Sequence, residues 1–389
     1  MKIYYKDGIH IEVNHSHLLI DPSTNENSYI DRVSYDEYTK TLGTRIKEYN
    51  SVFEHITMIL ITHAHTDHCD LLPYFAERNI PIIAHPYTFQ FRKTLVQKIP
   101  LKNQMHVREF QDLHLHGFNI SVLPSGHCVG SVMYYIETPE GTILATGDYN
   151  THQSSILVPA EPRHCDYLLT EATFGKPHLT FPPRITTYND FYTYLIDRFN
   201  IHHQPDLKTH SVILLYGRGL GTIQDVIALC NSFDGLKVHL SVDWYGHRAT
   251  KLYERLYDNR SLGEYEEQQV TLVPRPKTIL INSYQACKVA EIEAKIQEFG
   301  LEAQPPILIL TGWAKEDTTD EEIQNIRDTF SDVTLLPLSN HSGYDQLMMF
   351  IQECHPKKVG CFHGWSKDLV SDLRGQGYDA YDLHTETCE

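Results

Sequence analysis

The sequence predicts an α+β protein: a β-sandwich with an active site on one edge, followed by a segment of alternating strands and helices. Three observations predict it. Short apolar runs end four times in a residue able to hold a metal or carry a proton, at His63, His127, Asp148 and Glu171. The first of these runs leads into Thr62-His63-Ala64-His65-Thr66-Asp67-His68, where three imidazoles and a carboxylate crowd one strand-to-helix turn. From about Pro177 onward, apolar strand-like runs alternate with amphipathic helical stretches, as parallel α/β segments do.

Taken in order, residues 3–22 read as a hairpin, and residues 23–53 as a polar loop with a helix over 35–49. A strand over 58–65 carries the metal motif. In extended backbone His63 and His65 project to the same side, while Asp67 and His68 turn in from the loop. A helix near 69–78, capped by Thr66 or Asp67, follows. Then come a buried strand over 81–85, a helix over 86–98 and two strands within 106–123. A Gly-flanked loop presents His127, a strand over 142–146 ends in Gly147-Asp148, and a strand over 167–170 ends in Glu171.

Beyond Pro177 the spacing predicts helices over 188–200, 223–230, 246–257 and 286–299, with strands over 212–216, 238–242, 278–282 and 307–310. The loop Gly217-Arg218-Gly219-Leu220-Gly221-Thr222 resembles a dinucleotide-binding turn, but its third glycine is misplaced for that fingerprint. It also lacks the Lys-Ser/Thr that closes a phosphate loop. What survives is physical: backbone N–H groups at a helix start, beside Arg218, form an anion-binding corner that suits a backbone phosphate. Later, Ser339-Asn340-His341-Ser342-Gly343 precedes a helix over 345–354. A strand then ends in His363-Gly364 before a helix over 367–375, and residues 385–389 read as a frayed tail.

The chain of 389 residues suits two domains, or one domain carrying a large insertion. No apolar run approaches the roughly 20 residues of a membrane helix, and the start has no apolar signal core. Eight scattered cysteines without a CxxC pair point to a reducing compartment, the cytoplasm or, in a eukaryote, the nucleus. With 33 Lys and Arg against 50 Asp and Glu, the net charge of −17 excludes a broad nucleic-acid-coating surface. It leaves room for a nuclease, because bound metal ions supply positive charge locally.

The pattern His63-x-His65-x-Asp67-His68 resembles the metal motif of the metallo-β-lactamase superfamily, which hydrolases, oxidoreductases and nucleases share. His127, Gly147-Asp148, the Glu171 of Thr170-Glu171-Ala172-Thr173-Phe174-Gly175, His341 and His363-Gly364 follow in an order that resembles its nucleic-acid-processing branch, the β-CASP group. The resemblance covers nearly the whole chain. It implies a four-layer αββα metallo-β-lactamase sandwich built from 1–178 and 335–389, with an α/β domain inserted at 179–334.

It further implies two Zn2+ ions, with Mn2+ as an alternative. His63, His65 and His127 would hold one, Asp67, His68 and His363 the other, and Asp148 would bridge them. Asp67 would also orient the attacking water. His341 is similar to the family's general acid, and Glu171 to the carboxylate that orients it. Gly217, Arg218, Gly219 and Ser342 are the expected substrate-binding residues.

The implied partner is single-stranded nucleic acid, and the implied reaction is phosphodiester hydrolysis leaving a 3′-hydroxyl and a 5′-phosphate. Glu171 and His363 resemble RNA-processing members such as ribonuclease J and the cleavage-factor endonucleases, whereas Gly126-His127-Cys128-Val129-Gly130-Ser131-Val132-Met133 resembles the Artemis-like DNA-repair branch. RNA is the leading expectation and DNA the alternative. A small-molecule metallo-hydrolase of the lactonase or thioesterase type, and a scaffold without activity, are further alternatives. The resemblance also allows a homodimer through the insert, and no membrane partner is expected.

Overall fold

The computed structural model describes residues 1–24, 49–76, 78–96, 101–201, 210–258, 260–269, 276–302, 304–314 and 320–388. The chain falls into two compact units. Met1–Thr151, Val158–Thr180 and His341–Glu389 form the first, and His152–Leu157 with Phe181–Asn340 form the second.

In the first unit, alternation of apolar side chains along each strand builds a sandwich. One sheet takes the strands Lys2–Tyr5, Ile9–Val13, Ser16–Ile20, Met58–Leu60, Ile82–Ala84 and Gln104–His106 in that order, antiparallel at first and parallel from Ser16–Ile20 onward. The other sheet runs Ala380–Asp382, Lys358–Phe362, Tyr167–Glu171, Gly141–Ala145, Val132–Thr138, Phe118–Pro124 and Asp112–Leu115. Leu18, Ile20, Met58 and Leu60 of the first sheet share one core with Val122, Tyr134, Ile136, Ile143 and Leu169 of the second.

The intervening residues face outward and are covered in turn. Leu19 and Ile59 pack with Phe53, Leu72 and Phe75, while Leu144 and Leu168 pack with Leu347, Phe350 and Ile351 of the helix Tyr344–Cys354 and with Leu369 and Leu373 of the helix Ser366–Gly375. Helical segments thus lie outside both sheets, giving the four layers α, β, β, α. All eight cysteines are buried free thiols.

The second unit is a parallel sheet in the order Glu266–Glu267, His239–Val242, Thr278–Ser283, Val212–Gly217, Ile307–Leu310 and Val333–Leu336. Its central strands carry the apolar runs 212–216, 279–281 and 307–310, as strands covered on both faces do, and Leu214, Leu280, Ile307 and Ile309 anchor one of its cores. The helix Arg184–Arg198 precedes the first strand, and the helices Thr222–Ser232, Trp244–Leu256, Val289–Glu298 and Glu321–Thr329 make the crossovers. The strand Val333–Leu336 pairs with Ile307–Leu310, so the second unit runs through Asn340, and a boundary at 334/335 would cut that strand.

Several elements differ from expectation. The 3–22 hairpin is a three-stranded meander. The strand of the metal motif ends at Leu60, and a 3-10 turn over Thr66–His68 precedes the α-helix Leu72–Phe75, which starts at Pro73 in its first turn. Neither Thr66 nor Asp67 caps it, because its N-cap is Leu71, which makes no side-chain cap bond. The helix begun at Pro86 opens into a wider π-type turn over Arg92–Val96. The helix expected over 35–49 lies almost wholly outside the described residues. No helix among the described residues is long and apolar enough to cross a membrane.

Candidate metal centre

Sheet register brings the candidate ligands together at one end of the first unit. The backbone Thr62 carbonyl accepts from Val132 N–H, which ties the metal-motif loop to the other sheet. Gly147 makes this possible, since a Cβ there would lie 2.6 Å from Thr62 Cβ. Asp148 therefore leaves its strand directly beside the His63 loop.

Asp148 is the centre of the arrangement. Its Oδ2 lies 3.3 Å from His68 Nε2, 3.6 Å from His63 Nε2 and His127 Nε2, and 4.0 Å from His341 Nε2. Its Oδ1 lies 4.0 Å from His363 Nδ1. His65 Nδ1 approaches His63 Nε2 at 2.9 Å and His127 Nε2 at 3.1 Å. Ring and carboxylate atoms within 4.8 Å of one another form three groups: His63, His65, His127 and Cys128; His63, His68 and Asp148; His127, Asp148 and His341.

The expected triad of His63, His65 and His127 is thus assembled. The second expected triad is arranged differently: His68 groups with His63 and Asp148, while Asp67 and His363 fall outside these three groups. Asp67 is exposed, on the 3-10 turn that leads into His68.

One buried carboxylate sets the tautomers. Thr62 donates its N–H to Asp21 Oδ1 at 2.7 Å and its hydroxyl to Asp21 Oδ2 at 2.6 Å. With its own proton committed, Thr62 Oγ1 accepts from His63 Nδ1 at 3.0 Å, which leaves the His63 Nε2 lone pair free. His68 Nδ1 donates to Asp21 Oδ2 at 2.8 Å, which aims Nε2 at Asp148. Asp21 lies outside the metal motif and the other ligand positions expected from the sequence. Its signal was present, because it ends the apolar strand Ser16–Ile20 just before Pro22, in the same pattern as the recognised sites. Asp21→Asn should weaken metal binding about ten- to a hundredfold, as loss of an outer-shell carboxylate does. A zinc-competition titration checks it, and unchanged affinity would remove Asp21 from the centre.

Electrostatics separate the histidines. Burial pushes His63 well below the ordinary imidazole range and His127 down to about 3, so both stay neutral donors. His68 also pays desolvation, but Asp148 and Asp21 outweigh it and hold its pKa well above the usual value. Burial opposes the charge of Asp148, yet His68 and His341 keep its carboxyl well below the carboxylate range. Although Asp67 as a residue is exposed, its carboxylate is desolvated beside the cluster, and His68, His65 and His363 together outweigh that and hold it below the ordinary carboxylate value. Burial raises the Cys128 thiol well above its ordinary value, which leaves it a neutral neighbour of His127.

The donor set fits metal ions. Buried His68 Nε2 and Asp148 Oδ1 make no aligned hydrogen bond, a costly arrangement without a ligand to satisfy them. A cation there would also replace the proton that His68 takes up between two carboxylates.

Beside this cluster, His341 Nδ1 lies 2.9 Å from both Glu171 oxygens. Glu171 is fully buried and also accepts from Tyr149 N–H at 3.0 Å and Thr173 N–H at 3.3 Å. His363 sits at φ 59°, followed by Gly364 at φ 48°, where a Cβ would lie 2.3 Å from Thr173 Cα. The His363 N–H donates to His384 Nε2 at 3.1 Å, a partner with no signature in the sequence.

The remaining expected residues take other positions. Ser342 is buried and accepts from Thr151 N–H at 3.3 Å, which gives its hydroxyl a part in holding the turn. Gly217, Arg218 and Gly219 belong to the second unit, where Gly217 ends the central strand and the other two follow it. The Arg218 guanidinium stands 5.2 Å from the centre of the Tyr284 ring, and a Cβ on Gly219 would meet Tyr245 at 2.4 Å.

Comparison with known proteins gives a consistent picture. Residues 17–202 match the profile of the beta-lactamase superfamily domain. A probable DNA ligase of Opitutus terrae is 26% identical over 265 residues, 67% of this chain but only 23% of the ligase. An RNase J-like protein of Methanocaldococcus jannaschii is 22% identical over 355 residues, covering 79% of this chain and 82% of the relative. The crystal structure of a protein of unknown function from Enterococcus faecalis V583 superposes with a TM-score of 0.65 at 12% identity, over 100% of this chain and 99% of the other, which concerns the fold alone.

Proposed function

Because this chain belongs to the metallo-β-lactamase superfamily, in its β-CASP group, we propose that it is a metal-dependent nuclease that cuts single-stranded nucleic acid, RNA in preference to DNA. The observation that carries this reading is the pairing of two devices in one unit. A His and Asp cluster around Asp148 stands next to a histidine gripped by both oxygens of a buried glutamate.

His63, His65, His127, His68 and Asp148, with Asp67 and His363, would hold two zinc or manganese ions. Bound there, the ions would supply Lewis acidity toward the phosphate and its attacking water. The chain's own side chains do the rest. Asp67 orients the water, whose oxygen bonds to phosphorus as one of its protons passes to solvent. The bond from phosphorus to the 3′-oxygen breaks, and His341 delivers the proton from Nε2 to that leaving oxygen. The products are a 3′-hydroxyl and a 5′-phosphate. Glu171 fixes the direction of the His341 ring through Nδ1 and complements the charge the ring carries when protonated. In the second unit, Gly217, Arg218 and Gly219 offer an anion-binding corner for a backbone phosphate.

A second reading, cleavage of DNA, is favoured by the segment around His127, which resembles the DNA-repair branch. Matched single-stranded RNA and DNA, each with a 5′-phosphate or a 5′-hydroxyl, separate the two when wild type and Asp67→Ala are run in parallel. RNA cleavage that Asp67→Ala loses supports the proposal, and a strong DNA preference reverses the choice of polymer. A metallated protein that cuts neither polymer but hydrolyses esters or thioesters would overturn the nuclease reading.

A further inference from the structure

Within the second unit, one buried ion pair collects three separate stretches of chain, each close in sequence to a point where the chain passes between the units. Arg184 and Asp225 are 7% and 1% exposed. Arg184 Nη2 donates to Asp225 Oδ2 at 2.8 Å, and Arg184 Nε donates to the Tyr188 hydroxyl at 2.8 Å. Tyr188 in turn donates to Asp225 Oδ2, and Ser155 donates its N–H to Asp225 Oδ1 at 2.8 Å. Burial works against the Asp225 charge, but Arg184 holds its carboxyl below the ordinary range, so the pair remains ionised.

The rest of the guanidinium is spent on one short segment. Arg184 Nη1 donates to Ser339 O at 2.9 Å, and Nη2 reaches Asn340 Oδ1 at 3.3 Å. Asn340 Nδ2 donates to Leu220 O at 3.3 Å. The next residue in the chain is His341. On its far side, within the first unit, Asn150 Nδ2 donates to His341 O at 3.3 Å and Ser342 N–H donates to Tyr149 O at 2.9 Å. Four consecutive residues, 339 to 342, are therefore held by hydrogen bonds, the first two by Arg184.

A buried ion pair is a poor way to gain stability alone, because desolvating two charges offsets most of their attraction. What it supplies that apolar packing cannot is direction, through the rigid fork of the guanidinium. We infer that Arg184, fixed by Asp225 and Tyr188, is a positioning residue for His341, which it sets through the Ser339–Asn340 backbone. This rests on His341 being the acid of the proposed reaction.

The test compares two substrates of the metal-loaded full chain. Single-stranded RNA has a poor leaving group and needs the acid. A nucleoside 5′-phosphate p-nitrophenyl diester has a good leaving group and needs it far less. Arg184→Lys keeps a charge but loses the fork, and Asn340→Ala removes one of its contacts without touching the ion pair. For both variants, the ratio of kcat on RNA to kcat on the activated diester should fall about ten- to a hundredfold, the scale of a misplaced catalytic group, with KM for RNA unchanged.

His341→Ala, measured alongside, should lower the same ratio. An equal loss on both substrates would make Arg184 merely structural and overturn the inference. No loss on either would overturn it as well. If His341→Ala lowers the ratio while Arg184→Lys and Asn340→Ala leave it at the wild-type value, the inference fails and the proposed reaction stands. If His341→Ala leaves the ratio at the wild-type value, the assignment of the acid fails, and the inference fails with it.

Discussion

Asp148→Ala should purify with little bound metal and without nuclease activity, even when zinc is present throughout. Asp148 Oδ2 is within 3.6 Å of ring nitrogens from His63, His68 and His127, so its loss removes the atom common to the cluster. The damage extends to the metal-free protein. His68 is held protonated by Asp148 and Asp21 together, and without Asp148 a largely buried positive charge loses one of its two partners. Removing one side of a buried pair costs about 3–5 kcal/mol. Asp148→Asn keeps the shape and separates the two effects. It should fold, and added zinc should raise its thermal midpoint much less than it raises that of the wild type. Elemental analysis of the purified variants provides the check, and a full complement of metal in Asp148→Ala would refute the central role of this carboxylate.

His341→Ala should keep its metal and its fold but cleave roughly 10²–10⁴ times more slowly, the usual weight of a positioned general acid. The ring is partly exposed, so its truncation opens no large cavity in the core. It stands against Asp148 and the His127 ring without being the main partner of either. The defect should lie in kcat rather than KM, because the proton is needed only as the leaving bond breaks. Glu171→Gln should follow it less steeply: the amide oxygen can still accept from Nδ1, but the complementary charge is gone. Single-turnover cleavage with metal content measured on the same preparations decides the matter. Normal turnover by His341→Ala would remove it from the mechanism.

Much of the centre was legible because it is local. His63, His65, Asp67 and His68 lie within one turn of chain, and residue type with spacing is enough to mark them as donors. The unbroken apolar runs Leu18-Leu19-Ile20 and Ile143-Leu144-Ala145 foretell a sheet covered on both faces for the same reason, since a strand puts neighbours on opposite faces. The long apolar runs at Val212–Gly217 and Ile307–Leu310 likewise announce strands covered on both sides. Short-range geometry is written in short-range pattern.

What the chain alone did not disclose depends on register between distant segments. Asp21 binds Thr62, and through it His63, from 41 residues away and His68 Nδ1 from 47, and only pairing of the strands Ser16–Ile20 and Met58–Leu60 brings it there. Thr66 or Asp67 was expected to cap the following helix, yet Thr66–His68 closes as a 3-10 turn of its own, with His68 Nε2 3.3 Å from Asp148. The grip of Glu171 on His341 spans 170 residues, and Arg184 reaches Ser339 across 155. Sequence determined which residue types could hold metal and carry protons, and in which elements they sit. Tertiary structure decided which of them share an atom, because hydrogen-bond partners and buried charges are fixed by packing between segments that carry no local trace of each other.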